Sequence, residues 1–555
     1  TGAWPDGHGV TGNEVVLPGA PLNATTSGYR SEPLLGEPLW VTAAREGLEA
    51  TVLCATQDYP YAPYEKGRRF GGDFGRELTF LTGYQGPSLP DAVFRASDLP
   101  RRSPSGWTGP VPAGAQELEL KTADDVVFGL LFADPEDPAP GLDTLALSIN
   151  KDVAKAVRLK ARSAGAAEAF EPVRVRIGGQ DLEVFFRLFA LSPDGQDLLL
   201  YRARAALLLS NHPTQPAAAA AAMGGFVGNG ASDPYEEGAL GPTLAHGGDG
   251  TAEKRYLETV RLVERQFERL LDFGAQRTRW EMLVGYLPFP DELLHLWWGH
   301  LDPELPGHDP VLARRLRPYL DEGLRVADAY VGALRRHADA RTVVAVGADH
   351  GMTSVRTRVR MNAALREAGL LSLDAAGRPD LARTKAYYLG AAGYFLINRS
   401  SRPGGIVKAD EEDVVRAAIA DMLRGLRDPR SRAPLVAEVL DPRERTGAGG
   451  PHGGDVYFRL APHVFPTGET QGELVYDGPP SGEHLLAPES EEMQASFVVS
   501  GAGVAQGALL GRIRQVDAAP TLSALLGLGP PAASVGEVLA AALARSPKGP
   551  RAATR

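Results

Sequence analysis

The run Thr342-Val343-Val344-Ala345-Val346 is short, apolar and rich in β-branched residues, the pattern of a strand buried on both faces. It empties into Gly347-Ala348-Asp349-His350-Gly351, so a carboxylate and an imidazole stand side by side where the strand ends. Open parallel sheets form their sites at that edge. Asp and neutral His are both ligands for divalent metals, a strand is a rigid base for holding them, and Gly351 lets the backbone turn beneath them. Taken alone, the pair is also what a turn with two polar residues looks like.

A second stretch repeats the logic. Trp280-Glu281-Met282-Leu283-Val284-Gly285 runs into the turn-forming Tyr286-Leu287-Pro288-Phe289-Pro290, followed by Asp291 and, four residues on, His295. That spacing puts both side chains on one face of a helical turn, where they can share an ion. His300 falls outside it. A third piece, Ser481-Gly482-Glu483-His484, precedes another strand-like run into glycines at 497–503. His452, in Gly449-Gly450-Pro451-His452-Gly453-Gly454-Asp455, competes with His484 as the distal ligand.

In order and combination these residues resemble the alkaline phosphatase superfamily, and within it the type I phosphodiesterase/nucleotide pyrophosphatase branch. The matching elements are the Tyr-x-x-x-Pro-Asp-x-x-x-His pattern from Tyr286 to His295, Ala348 to Met352, Gly482 to His484, and the closing Gly511-Arg512-Ile513-Arg514-Gln515-Val516-Asp517-Ala518-Ala519-Pro520-Thr521-Leu522. Thr1-Gly2-Ala3-Trp4-Pro5-Asp6-Gly7-His8-Gly9-Val10-Thr11-Gly12-Asn13 resembles a family segment that lies downstream of the nucleophile. The resemblance therefore implies that the first metal-binding Asp and the Ser/Thr nucleophile precede Thr1, and that Asn13 hydrogen-bonds a phosphoryl oxygen. A side-chain amide can donate to a developing negative oxygen, although Gly-Asn is also a common turn.

The resemblance implies an α/β/α three-layer core and a metal-dependent phosphoric ester hydrolase. One metal falls to Asp291, His295 and His484, the other to Asp349, His350 and the upstream Asp. His484 is preferred to His452 because it stands just before the Met493 segment and the strand at 497, as in the family. Mixed Asp/His donors favour two zinc ions over magnesium, which prefers oxygen. One ion activates the nucleophile and the other neutralises the leaving oxygen. A phosphomonoesterase or sulfatase on the same scaffold, or an inactive binding protein, remains open on these residues.

Composition excludes other classes. With 555 residues, 43% hydrophobic and 23% charged, the chain can build a large core and at least one further domain. A net charge of -11 provides no basic face for nucleic acid or anionic lipid, and the partner implied is a small phosphorylated substrate. The single Cys54 sits in a strand-like run as a small core hydrophobe. No apolar run is long enough to span a membrane. The family favours an extracytoplasmic location.

Along the chain, 1–114 reads as the N-terminal part of the α/β core with its start missing, containing a helix at 37–47 and a strand at 51–54. The Tyr-, Gly- and Pro-rich segment 57–86 either walls a pocket or packs as a surface loop. Between 115 and 211, closely spaced strands at 116–121, 126–133, 142–149, 173–177, 182–191 and 197–205 predict an inserted β-rich domain. Residues 212–250, with their alanines and glycines, read as a linker or lid, and the core resumes over 251–545 before a flexible tail at 546–555. Helical spacing predicts long helices at 251–273 and 309–337, the second burying Leu316, Leu320, Leu324, Ala327, Tyr330, Val331 and Leu334.

Overall fold

The computed structural model describes residues 1–544 apart from 73, 75, 76, 123, 138, 139, 162–169 and 485–489. The tail expected at 546–555 lies outside them. Core elements, in chain order, are α1 (Leu39–Arg45), β1 (Ala50–Leu53), β2 (Leu78–Thr82), α2 (Thr251–Arg277), β3 (Met282–Gly285), α3 (Asp291–Leu301), α4 (Pro310–Arg336), β4 (Val343–Gly347), β5 (Thr353–Arg360), β6 (Val464–Thr467), β7 (Val475–Glu483) and β8 (Phe497–Gly501).

The fold is α/β. Strand β1 lies between β2 and β3, parallel to both. Its alternation splits two apolar layers. Ala50 and Val52, with Phe80 and Met282, pack on Val41, Ala43 and Ala44 of α1, while Leu53 and Leu81 turn to the opposite side, against α2, α3 and α4. That is the three-layer arrangement. Cys54 is buried at the end of β1.

Strand β4 pairs antiparallel with β8, and β5 stands between β6 and β7. At 359–365 the chain changes type, β5 ending at Arg360 and a helix, Met361–Glu367, beginning. Helix α4 buries Leu316, Leu320, Gly323, Val326, Tyr330 and Ala333, and Leu324 is exposed. The stripe shifts by one residue because α4 approaches α3 at Gly323, where a Cβ would stand 2.1 Å from Leu293 Cδ1.

The strands expected at 115–211 lie in two four-stranded sheets, and a strand from before residue 115 joins one of them. Strand Ala92–Arg95 joins Leu198–Arg202, and Ser88–Leu89 pairs with Ala205–Ala206. Leu209–Ser210 instead pairs with β2 of the main sheet. The strand Val157–Lys160, not expected from the pattern, closes one insertion sheet. Residues 212–250 differ most from expectation. They form helices Gln215–Met223 and Ser232–Glu236, and Met223, Phe226, Val227, Ala231, Tyr235, Leu240 and Leu244 are buried in the largest core cluster. A segment with that much buried apolar surface is part of the core, not a linker.

Candidate metal centre

Helix α3 presents two faces. Leu293, Trp297 and Leu301, four apart, are buried, and Trp297 Nε1 donates to Tyr235, whose hydroxyl donates in turn to Glu253. Asp291 and His295 occupy another face. Strand β7 crosses α3 very closely at two glycines, since a Cβ on Gly299 would meet Ser481 N at 2.3 Å and one on Gly482 would meet Leu294 O at 2.3 Å. This contact carries His484, just past β7, to His295.

The resulting cluster is tight. His295 Nε2 lies 3.2 Å from His484 Nε2 and 3.5 Å from Asp291 Oδ2. The His295 Nδ1 faces the Gly482 carbonyl at 2.7 Å, which fixes the ring and leaves Nε2 for the cluster. Among the described residues, Asp291, His295 and His484 are the group of three donors close enough to hold one ion. The fit is good, because two donors of a tetrahedral zinc at about 2.0–2.1 Å from the ion stand about 3.3 Å apart.

Asp349 and His350 arrive at the same place. Strand β5 begins three residues after His350 and pairs Thr353 with Glu483, so the Asp-His turn and His484 share one end of the β5–β7 pair. The His350 ring stacks on His484 at 3.7 Å and 16°, and His350 Nε2 is 3.6 Å from Asp349 Oδ2. The turn is pinned by Ala348 N–H to Ser496 O, Gly351 N–H to Met493 O and Met352 N–H to Glu492 O. Gly351 is required here by proximity, since a Cβ would stand 1.9 Å from Glu492 O.

Asn13 is exposed on a hairpin whose strands pair Glu14 with Ser27 and Val15 with Thr26. Its carbonyl accepts from Gly28 N–H at 2.7 Å, beside Tyr29. Partial desolvation and then the Asp291, Asp349 and Glu292 charges raise the Tyr29 phenol, which places this hairpin at the rim of the centre. His452 is elsewhere, buried with its Nδ1 2.8 Å from the Gly9 carbonyl. Burial first, and then His246, lower the His300 imidazole; none of the cluster residues is among the influences on it.

The electrostatics suit ligation. Burial acts to raise the Asp291 carboxyl, but the hydrogen bond and charge of His295, with His484 and His350, hold it below the usual range. Burial pulls His295 down, and the Asp291 carboxylate more than reverses this, raising it to about 9. Burial, then His350 and His295, lower His484 to about 4, so that ring is neutral. A cation bound at the cluster has to displace the His295 proton. Zinc uptake by metal-free protein is therefore expected to release a proton and to tighten as pH rises from about 6 to about 9. A dye-competition titration across that range checks it; an affinity flat in pH would remove His295 from the ligand set.

Beside the Asp291 helix stand Tyr84 and Asn229, which no local motif marks. Tyr84 donates to Asn229 Oδ1 at 2.7 Å, Asn229 Nδ2 donates to Glu292 at 2.6 Å, and Tyr84 lies edge-on to Tyr286, 6.2 Å between centroids. They come from separate stretches of chain and meet only in space.

Residues 225–476 match the family described as type I phosphodiesterase / nucleotide pyrophosphatase, a span containing Asp291, His295, Asp349 and His350. Over that span, somewhat under half of its length, the chain is similar to that family. No protein of curated function matches the chain by sequence. Among solved structures, murine ectonucleotide pyrophosphatase / phosphodiesterase 5, an inactive form in complex with AMP, is 11% identical with a TM-score of 0.41, covering 96% of this chain and 82% of that one. Human ectonucleotide pyrophosphatase / phosphodiesterase 5 is 13% identical at 0.30, covering 48% of this chain. The match spans 59% of the human protein's length. Alkaline phosphatase PafA is 16% identical at 0.35, covering 53% of this chain and 54% of that one.

Proposed function

We propose that this chain is the metal-binding body of a phosphodiesterase or nucleotide pyrophosphatase that uses two divalent ions, zinc being the ion its donors favour. The observation that carries the reading is the cluster itself, two imidazole Nε2 atoms 3.2 Å apart with a carboxylate oxygen 3.5 Å from one of them. Bound there, the ions supply Lewis-acid polarisation of a phosphoryl oxygen and lower the pKa of a coordinated hydroxyl.

The chain's own residues position and select. Asp291, His295 and His484 hold one ion; Asp349 and His350 contribute to the second. Asn13, at the rim, donates its amide to a phosphoryl oxygen as negative charge develops there. The nucleophile, a Ser or Thr, and the remaining Asp lie upstream of Thr1. In support, β3 and β4, which lead into the two ligand pairs, each have one edge with no strand partner among the described residues. Leu283, Val284 and Val343 to Val346 on those strands are only half-buried. A strand between them would cover this surface and bring a side chain to the same end.

Residues 1–555 alone are thus expected to bind zinc at the Asp291 cluster yet hydrolyse a nitrophenyl ester of a nucleotide no faster than background, and the protein extended by its preceding segment is expected to turn over. Metal analysis and a chromogenic assay test both halves. Absence of zinc uptake sinks the metal reading; zinc-dependent turnover by residues 1–555 alone puts the nucleophile inside this chain.

A further inference from the structure

Arg204 reaches from the β-rich strands toward Phe226 and Gly228. It stands between strands Leu198–Arg202 and Ala205–Ala206, with its guanidinium carbon 5.9 Å from the Phe226 ring centroid. Its Nη1 lies so near Gly228 that a Cβ there would be 3.0 Å away. The next residue is Asn229, whose amide bridges Tyr84 and Glu292, and Glu292 adjoins the proposed ligand Asp291. Arg204 is therefore linked to the metal centre through Gly228, Asn229 and Glu292.

What sets it apart is its lack of an oxygen partner. The guanidinium makes no hydrogen bond or ion pair with the described residues, although Tyr84 and Asp91 are in electrostatic range. Burial is the larger influence and holds it below the usual arginine value. A half-buried cation without an oxygen partner costs stability, and a position that keeps one against its own stability is a candidate for function. The planar fork of arginine matches the two oxygens of a carboxylate or phosphate.

We propose that Arg204 forms a distal subsite, taking a carboxylate or phosphate carried on the end of the substrate remote from the reacting phosphorus. This rests on the metal centre proposed above and gives the β-rich insertion a role, which is to set specificity. The probes are ω-carboxyalkyl phosphonates and alkyl phosphonates of equal length, in a series of chain lengths, titrated calorimetrically into zinc-loaded protein. At one length the carboxylate is expected to bind roughly tenfold more tightly than its methyl-ended twin, as one charge-assisted hydrogen-bonded contact provides. Arg204→Gln removes that advantage without weakening the methyl-ended probe, and Arg204→Lys keeps part of it.

Because Arg204 makes no hydrogen bond or ion pair with described residues, Arg204→Gln is expected to melt at or above the wild-type temperature. A carboxylate advantage that never appears, or that survives in Arg204→Gln, overturns the subsite and leaves the metal centre standing. So does a variant that melts several degrees lower, which makes Arg204 structural. If no phosphonate binds the zinc-loaded wild type, the metal-centre reading falls and the subsite with it.

Discussion

Replacing His484 with alanine is expected to weaken zinc binding by at least about a hundredfold, whereas His452→Ala changes it by less than about threefold; loss of an outer-shell partner alone costs 10–100-fold. The ranking follows from position. His484 Nε2 faces His295 Nε2 at 3.2 Å, and its ring, lowered to about 4, is deprotonated and ready to donate at neutral pH. His452 spends its Nδ1 on the Gly9 carbonyl, and its own carbonyl accepts from Thr11 and Tyr394 hydroxyls. Competition against a chromophoric chelator gives the affinities, and circular dichroism verifies that both variants fold. If His452→Ala were the one to lose zinc, the distal ligand would belong to the glycine-rich loop.

The second large effect concerns stability. Glu258→Ala is expected to destabilise the protein by about 3–5 kcal/mol, because it removes the carboxylate facing a buried guanidinium. Arg187, on the insertion strand Gln180–Leu191, donates Nε to Glu258 Oε2 at 2.7 Å, and the two side chains are 0% and 1% exposed. Glu258 is on α2, so this pair fastens the insertion to the core. The double replacement Arg187→Met with Glu258→Leu is expected to recover most of the loss, since apolar groups of similar volume carry no desolvation cost. Denaturant midpoints for the single and double variants measure it. A single variant within about 1 kcal/mol of wild type, the level of an exposed pair, would mean that water reaches this site.

The two Asp–His pairs were legible because each is local. A β-branched run followed at once by Asp349-His350, and an i, i+4 pair opening a helix at Asp291 and His295, are patterns that secondary structure alone carries to one edge. The long helices were legible for the same reason: Tyr256, Leu257, Val260, Val263, Phe267, Leu270 and Leu271 repeat at helical spacing and all are buried.

What the pattern could not carry is pairing at a distance. Ala92–Arg95 belongs to the insertion only because Leu198–Arg202 comes to lie beside it, and a short strand before the alternating region has no signal of its own. The 212–250 segment misleads for a different reason. Ala217 to Ala222 has no amphipathic pattern, so its burial is decided by what packs on it. Glu117 reads as a solvent-facing partner of Leu118, yet it is buried, accepting from Lys151, Ser105 N–H and Trp107 Nε1. Arg204 and Asn229 lie in no motif, and their meaning comes from Tyr84 and Glu292, which arrive from elsewhere.

The hydrogen bond from His452 to Gly9 joins residues 443 apart in sequence, and Val535 N–H to Gly2 O closes a longer loop still. During synthesis, then, the arm that carries Asn13 leaves the ribosome before the segments it docks on, since Val16 and Leu22 pack on Leu389, Tyr394 and Leu396 and Gly9 meets His452. The α2–α4 helices and the Asp291 turn can pack before those segments emerge, since their partners are nearer in sequence. The Asn13 arm is consequently fixed later than those helices, and a chain halted before residue 389 would hold Asp291 and His295 with the arm still lacking the Leu389, Tyr394 and Leu396 surface it packs on.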